Sequence, residues 1–275
     1  MAHFYEDLNN PEVISVIDEL SYWSAPFGLR LLDVVQYKKN IRALDIGCGT
    51  GFPLIELAMR LGNTSRVYGI DPWKAGLDRV RQKIRMCELS NVEIIEGHAE
   101  DMPFEDNYFE LIVSNNGINN VLDLEKTLEQ CRRVSKTGAQ FVFTFNTDRT
   151  FIEFYNVYHE VLEDCGLQEC QKKLSEHIYS KRKPVSEFKE RLANHGFKAI
   201  STYDDIFHYR FSDASAMLDH FFMKLAFMPS WKEIIPDSRQ PEVFRKLETI
   251  LNSESAKSGG FTMQVPFVTM DCKKI

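Results

Sequence analysis

Short apolar segments alternate with amphipathic segments between residues 42 and 145, and this rhythm restricts the fold more than any other feature of the sequence. Buried strands are predicted at 42–46, 66–71, 92–96, 108–114 and 140–145. Amphipathic helices are predicted between them at 53–61, 74–87 and 124–134. Strands and helices that alternate at this spacing form right-handed crossovers and a mainly parallel sheet. The pattern therefore predicts a doubly wound α/β fold.

The segments that flank this core are less regular. Further helices are predicted at 10–38 with a break at Pro26, and at 150–180, 186–195, 212–228 and 241–252. Two more strands are predicted at 197–209 and 261–272; Pro266 indicates an edge position or a bulge, and 253–260 is predicted to be a loop. We expect a single domain over 1–275, with an N-terminal helical lid (1–38), a cofactor-binding half (39–146) and a substrate half with inserted helices (147–275).

Charge and composition exclude several classes of function. The net charge is −7 and no long basic run occurs, which argues against nucleic-acid binding and against strong attraction to anionic membranes. No apolar stretch approaches the roughly 20 residues of a membrane span, and the first residues lack the features of a signal peptide. We therefore expect a cytoplasmic protein. The six cysteines form no Cys-x-x-Cys pair, so no metal site is expected.

A glycine-rich turn follows the first predicted strand, as in many cofactor-binding loops. Four ligands compete at this point: a nicotinamide dinucleotide, a flavin, a nucleoside triphosphate and S-adenosylmethionine. A triphosphate loop needs a lysine that is absent between Ile41 and Lys74. A dinucleotide loop needs a third glycine at position 52, which is Phe52.

Two carboxylates accompany this turn. Asp45 lies two residues before Gly47, where it would repel a pyrophosphate and suit an ammonium group such as that of S-adenosylmethionine. Asp71 ends the second predicted strand, a position that suits hydrogen bonds from two ribose hydroxyls. The alternative for Asp71 is a helix N-cap, because Pro72 follows it. Asp71 does not by itself distinguish S-adenosylmethionine from a dinucleotide.

Four motifs, in order and at the expected intervals, resemble those of the class I S-adenosylmethionine-dependent methyltransferases. They are Ala43–Gly51, Gly69–Asp71, Glu96–Phe104 and Phe109–Ser114. Within that class, the chain is similar to the small-molecule group that includes the ubiquinone/menaquinone and malonyl-carrier methyltransferases. The resemblance covers about 41–145. It implies a mainly parallel sheet of seven strands with an antiparallel last strand and helical cap insertions.

The resemblance also implies roles for individual residues. Asp45, Gly47 and Asn115 would hold the methionine portion of S-adenosylmethionine, Gly49 would let the backbone approach it, and Asp71 would bind its ribose. Around the adenine the resemblance implies Pro72, Trp73, His98 and Ala99, the last through its backbone N–H. His98 stands where the family usually has an aspartate, and a neutral histidine accepts a hydrogen bond through one ring nitrogen.

The catalytic residues are not fixed by these patterns. Relatives often carry a histidine near Asn119, and an asparagine is no general base near neutral pH. The aromatic segment 21–28 indicates either a lid over the methyl donor, with Tyr22 or Trp23 on the acceptor side, or ordinary core packing. The aromatic segments 151–159 and 220–228 are interpreted mainly as core. The basic run 181–183 is interpreted as a solvated turn, with an anionic substrate group as the alternative.

The sequence thus predicts a methyltransferase that transfers the methyl group of S-adenosylmethionine, by in-line displacement, to a small apolar or aromatic molecule. A catalytically silent, S-adenosylmethionine-binding regulatory or partner subunit is the alternative. A third hypothesis, an NAD-dependent oxidoreductase, is disfavoured by Asp45 and Phe52. The expected partner is a small-molecule substrate, and the oligomeric state is not predicted.

Overall fold

Seven strands form one sheet in the order β3-β2-β1-β4-β5-β7-β6. This computed structural model describes residues 9–11, 14–15, 18 and 23–275. The strands are β1 (Arg42–Ile46), β2 (Arg66–Asp71), β3 (Val92–Glu96), β4 (Phe109–Asn115), β5 (Ser135–Asn146), β6 (Phe197–Phe211) and β7 (Phe261–Lys274). Strands β1 to β5 pair in parallel, whereas β7 is antiparallel to both β5 and β6. The predicted seven-stranded, mainly parallel sheet with an antiparallel last strand is confirmed.

Helices connect the strands and also form a cap. The connecting helices are α1 (Ser24–Val34), α2 (Leu54–Leu61), α3 (Lys74–Met86), α4 (Leu124–Val134) and α7 (Val185–Asn194). The cap helices are α5 (Ile152–Asp164), α6 (Gln168–Lys181), α8 (Ala214–Asp219), α9 (Phe221–Ala226), α10 (Met228–Glu233) and α11 (Gln240–Ser258). No helix in the part of the chain that the structure describes is long and apolar enough to cross a membrane.

The sheet buries both of its faces, as the doubly wound fold requires. On one face, α1, α2 and α3 pack against alternate strand residues such as Ala43 and Val113. On the other face, α4 and α7 pack against the intervening residues such as Leu44 and Ile112. The cap helices enclose a third apolar cluster around Trp231, which packs against the first half of β7. The three clusters leave the carboxyl ends of strands β1 to β4 uncovered, and the candidate site lies there.

Three local predictions were wrong. Pro26 does not break a helix, because it lies in the first turn of α1, where a backbone N–H has no intrahelical partner. Residues 253–258 are helical rather than looped: the buried stripe of α11, spaced by four residues, continues to Ser255. Strand β7 is not at an edge; its pairing with β5 ends at Phe267, so Pro266 lies just beyond that ladder. The register shift between β6 and β7 falls at Ala199–Ser201 instead.

Candidate active site

The strand order reverses between β1 and β4, and a cavity opens at the carboxyl ends of the strands at this point. Ligands of open α/β sheets bind at such switch points. The cavity has a volume of about 480 Å³ and is lined by the loops that follow β1, β2, β3 and β4, together with the start of α1. This volume lies within the range of small-molecule and cofactor sites. We call it the switch-point cavity.

The glycine loop after β1 forms one wall of this cavity. Gly47 donates its backbone N–H to Ile70 O at 2.9 Å, which ties the loop to the end of β2. Its φ is 73°, and a Cβ at this position would lie 3.1 Å from Gly117 Cα in the loop after β4. Gly49 has φ 51°, and a Cβ there would meet nothing within 4 Å. The glycine loop is therefore packed closely against the loop after β4 at Gly47, whereas Gly49 lines the cavity with open space beside it.

Asp71 lies at the end of β2 with its carboxylate fixed by two backbone donors. Its Oδ2 accepts from Gly49 N and its Oδ1 accepts from Trp73 N, both at 2.8 Å. The N-cap alternative was wrong, because α3 begins only at Lys74, with Trp73 as its N-cap and no side-chain cap; the bond from Trp73 N is instead the local contact of an Asx turn. Each carboxylate oxygen has a second lone pair, and Asp71 lines the cavity. The arrangement fits an acceptor for a pair of neighbouring hydroxyls.

Asp45 lies behind the glycine loop and is fully buried. Both carboxylate oxygens lack a hydrogen-bond partner among the described residues, and Asp45 is not among the residues that line the cavity. Burial, and then the neighbouring charge of Asp71, raises the pKa of the Asp45 carboxyl well above its usual range. An uncompensated carboxylate at this depth is costly. A cation held near Gly47 would offset part of that cost, and the role of Asp45 toward an ammonium group stays a prediction.

The remaining predicted ligand contacts lie around the same cavity. Pro72, Trp73, His98, Ala99 and Asn115 all line it. The Trp73 ring covers Gly76 of α3, where a Cβ would come within 2.6 Å of the ring. The structure thus brings together eight of the nine residues predicted to bind the cofactor, and places Asp45 behind them. Their contacts with a ligand stay predictions.

Asn115 connects this wall to α1. Its Nδ2 donates to Ser24 O at 3.0 Å, and its Oδ1 accepts from Thr144 Oγ1 at 3.1 Å. The side-chain amide is thereby engaged with protein groups. Because hydrogen bonds hold both the Nδ2 and the Oδ1 of its amide, Asn115 fixes the distance between the start of α1 and the cavity.

The acceptor-side candidates have different surroundings. Tyr22 lies outside the described residues. Trp23 lines the switch-point cavity and packs edge-on against Phe27 and Phe227, at 5.3 Å between ring centroids in each pair, so it serves both as wall and as core. Asn119 does not line this cavity; its Nδ2 donates to Asn116 Oδ1 and Asn146 Oδ1, both at 3.0 Å.

Two features of the site were missed in the sequence. Glu100 lines the cavity, and its Oε1 accepts from the backbone N–H groups of Leu122 and Asp123 at 2.6 and 3.0 Å. The β4–α4 loop is thereby held beside the cavity wall that His98 and Ala99 form. The second feature is Arg182, predicted to lie in a solvated turn. That prediction was wrong for this residue, because its side chain is 4% exposed. For the loop after β4, the four asparagines between 115 and 120 were the sequence signal that it is polar.

Gly28→Ala is expected to lower the free energy of unfolding by about 1–3 kcal/mol, the usual effect of overpacking. A Cβ at Gly28 would lie 2.2 Å from Phe52 Cε1 and 2.9 Å from Asn115 Nδ2. Alanine is the better helix former by about 1 kcal/mol, so a loss in urea unfolding reports crowding. In a Phe52→Leu background, which lacks the offending ring atoms, the same substitution should cost much less. An equal loss in both backgrounds would contradict this explanation.

Comparison with known proteins agrees with this geometry. A family model described as a methyltransferase domain matches residues 37–191, more than half of the chain. The demethylmenaquinone methyltransferase of Bacillus mycoides (strain KBAB4) is 35% identical over 130 residues, which are 47% of this chain and 54% of that protein. That of Geobacillus sp. (strain WCH70) is 36% identical over 122 residues, 44% of this chain and 52% of that protein. The chain spans about half the length of the curated relatives it matches.

Solved structures share the fold. A putative methyltransferase from Bacillus halodurans superposes with a TM-score of 0.59 at 19% identity, over 90% of this chain and 98% of that one. Geranyl diphosphate C-methyltransferase from Streptomyces coelicolor superposes with a TM-score of 0.56 at 16% identity, over 98% of this chain and 87% of that one. The chain belongs to the methyltransferase-domain family and has the class I fold of the S-adenosylmethionine-dependent methyltransferases.

Proposed function

We propose that this protein binds S-adenosylmethionine in the switch-point cavity and transfers its methyl group to a small molecule held beneath the cap helices. The observation that carries the proposal is the carboxylate of Asp71, which two backbone N–H groups fix at the wall of a cavity next to an open glycine loop. The family of the chain supports the same conclusion.

The residues present fit this cofactor. Asp71 offers acceptors for the ribose hydroxyls, and Trp73 and Ala99, which line the same cavity, would lie against the adenine ring. At the other end, the buried carboxylate of Asp45 has no protein partner among the described residues. In its ionised form it would supply a negative potential behind Gly47, and an ammonium group of the cofactor placed there would favour that form. A sulfonium nucleoside with an amino-acid tail requires acceptors for its ribose hydroxyls and a negative potential at its opposite end.

Bound S-adenosylmethionine supplies an electrophilic methyl group, so the protein has mainly to align the acceptor and exclude water. Alignment can lower the barrier by about 7–11 kcal/mol. Trp23 lines the switch-point cavity, and it also lines the adjoining cavity beneath the cap helices together with Phe222 and Phe227. Asn116 and Asn120, which line the cavity past β4, offer hydrogen bonds that orient an acceptor without changing its protonation. The proposed displacement is in line and uses no protein nucleophile.

We expect calorimetry to detect binding of both S-adenosylmethionine and S-adenosylhomocysteine to the purified protein. A small-molecule extract of the source cell, incubated with the protein and S-adenosylmethionine labelled in its methyl group, should yield a labelled product that mass spectrometry can identify. Labelled product must be absent from reactions with heat-denatured protein. Failure to bind either nucleoside would contradict the proposal. Binding without any methylated product would instead indicate the silent regulatory or partner subunit, which no observation at present favours.

A further inference from the structure

A second cavity, of about 340 Å³, adjoins the switch-point cavity beneath the cap helices. We call it the cap cavity. The two cavities share Trp23, Asn116 and Asn120 as lining residues. The C-terminal end of α6 forms one wall of the cap cavity, and α9 with the start of α10 forms another. A molecule in the cap cavity would therefore reach the methyl-donor site at this shared boundary.

The wall from α6 contains a buried guanidinium that pairs with none of the carboxylates that the structure describes. Arg182 follows the last residue of α6 and is 4% exposed. Its Nη1 donates to the neutral hydroxyl of Tyr155 at 3.3 Å, and its guanidinium carbon lies 5.3 Å from the centre of the Tyr155 ring. Its Nε has no hydrogen-bond partner, and no described carboxylate is close enough to form an ion pair with it. Buried cations normally have an anionic partner.

The rest of the cavity lining is also positive or neutral. Lys181 and His177 line the same wall, and none of the described lining residues is an aspartate or a glutamate. Burial, followed by the charges of Arg182 and Lys181, lowers the pKa of His177, so its imidazole is neutral at neutral pH. The C-terminal end of α6 offers only about half a negative charge. Two cations thus face a space in which no described lining residue supplies an anion to balance them.

The opposite wall is aromatic. Phe222 and Phe227 line the cap cavity beside Trp23, at 6.2 and 5.3 Å between ring centroids. This surface suits the apolar or aromatic body of a ligand. Three amides, those of Asn116, Asn119 and Asn146, lie on the sheet side of the same space. The cavity therefore has a cationic end, an apolar wall and a polar floor near the methyl-donor site.

We propose that the methyl acceptor carries a carboxylate or phosphate group that Arg182 and Lys181 bind, with its apolar body against Phe222 and Phe227. A planar guanidinium pairs well with either oxyanion. The anionic group would lie away from the methyl donor, and the methylated atom would lie at the boundary near Trp23. This inference rests on the proposed function, because it concerns the acceptor of the same reaction.

The test is calorimetric titration of protein saturated with S-adenosylhomocysteine, with benzoate and phenyl phosphate as anionic probes and benzamide as the neutral probe. We expect at least one anionic probe to bind at least tenfold more tightly than benzamide, and the better of the two identifies the anionic group. Arg182→Met should weaken that binding at least tenfold, and Lys181→Met should weaken it measurably. Neither substitution should change the affinity for benzamide or for S-adenosylhomocysteine.

Lys183→Met is the matched control, because it removes the same charge one residue from Arg182. Lys183 does not line the cap cavity; it lies 3.9 Å from the centre of the Tyr179 ring and 4.0 Å from Glu187 Oε1. It should leave the affinity of the anionic probe unchanged. Equal binding of benzamide and both anions, or unchanged anion affinity in both Arg182→Met and Lys181→Met, would overturn the inference. If the protein without any substitution failed to bind S-adenosylhomocysteine, that result would instead contradict the proposed function.

Discussion

Asp71→Ala is expected to lower the affinity for S-adenosylhomocysteine by at least about a hundredfold. A hydrogen bond to a charged acceptor contributes about 1.5–3 kcal/mol, and a tenfold change in affinity corresponds to about 1.4 kcal/mol. The loss of two such bonds from the ribose accounts for the expected effect. The substitution also removes the acceptor of the Gly49 and Trp73 N–H groups, so the glycine loop loses part of its support. Calorimetry on the purified variant measures the sum of both effects.

A second ligand separates these two effects. The 2′,3′-dideoxy analogue of S-adenosylhomocysteine cannot donate hydrogen bonds from its ribose, so Asp71→Ala should weaken its binding much less than that of the parent ligand. Such a cycle isolates the direct contact from the effect on the loop. Asp78→Ala removes a carboxylate from the exposed side of α3, where it pairs with Arg81, and should leave both affinities unchanged. Equal losses for the two ligands in Asp71→Ala would show that Asp71 only supports the loop.

The central fold was predictable because its signals are local. The predicted strands 42–46, 66–71 and 92–96 coincide with β1, β2 and β3, since each is a short apolar run that ends at a turn. Helix α4 was likewise predicted with the bounds found, from its apolar periodicity; in the structure Asp123 caps its first turn by accepting from Lys126 N. The position of Asp71 at the cavity follows from the same logic, because the carboxyl ends of neighbouring parallel strands meet at one edge.

The cap was harder to predict because distant segments determine it. The run 181–183 contains three cations in sequence, yet Arg182 is buried against Tyr155. Of the flanking lysines, Lys181 lines the cap cavity and Lys183 pairs with Glu187. The apolar periodicity of the sequence gave no indication that Arg182 is buried, since its packing partner Tyr155 lies 27 residues away in the chain. The aromatic segment 151–159 was interpreted mainly as core, and Tyr158 is indeed fully buried. The same segment nevertheless supplies the phenol that holds Arg182.

Asp45→Asn is expected to raise the free energy of unfolding at neutral pH by more than about 1 kcal/mol, and to weaken the binding of S-adenosylmethionine. A buried carboxylate without partners costs more than a neutral amide of the same shape. The stabilisation should depend on pH. The folded-state pKa of Asp45 is raised above the ordinary value of 3.8. As pH rises from the unfolded-state pKa to the folded-state pKa, Asp45 therefore ionises in the unfolded state but stays protonated in the native state, and the native state loses stability. The advantage of the variant should therefore be absent in strong acid and complete only above the raised folded-state pKa.

Urea unfolding at a series of pH values, together with calorimetric titration of the cofactor, measures both effects. Asp271→Asn is the matched control. Asp271 is also a mostly buried acid of the sheet, but its Oδ1 accepts from Gln140 Nε2 at 2.9 Å and it does not line the switch-point cavity. Its substitution should stabilise the protein less and leave cofactor affinity unchanged. If Asp45→Asn destabilised the protein at every pH, Asp45 would be a structural acid with a partner. If instead it stabilised the protein without weakening cofactor binding, the uncompensated carboxylate would have no function toward the ammonium end. The expected combination, a more stable protein that binds more weakly, is typical of a residue retained for its function at the expense of stability.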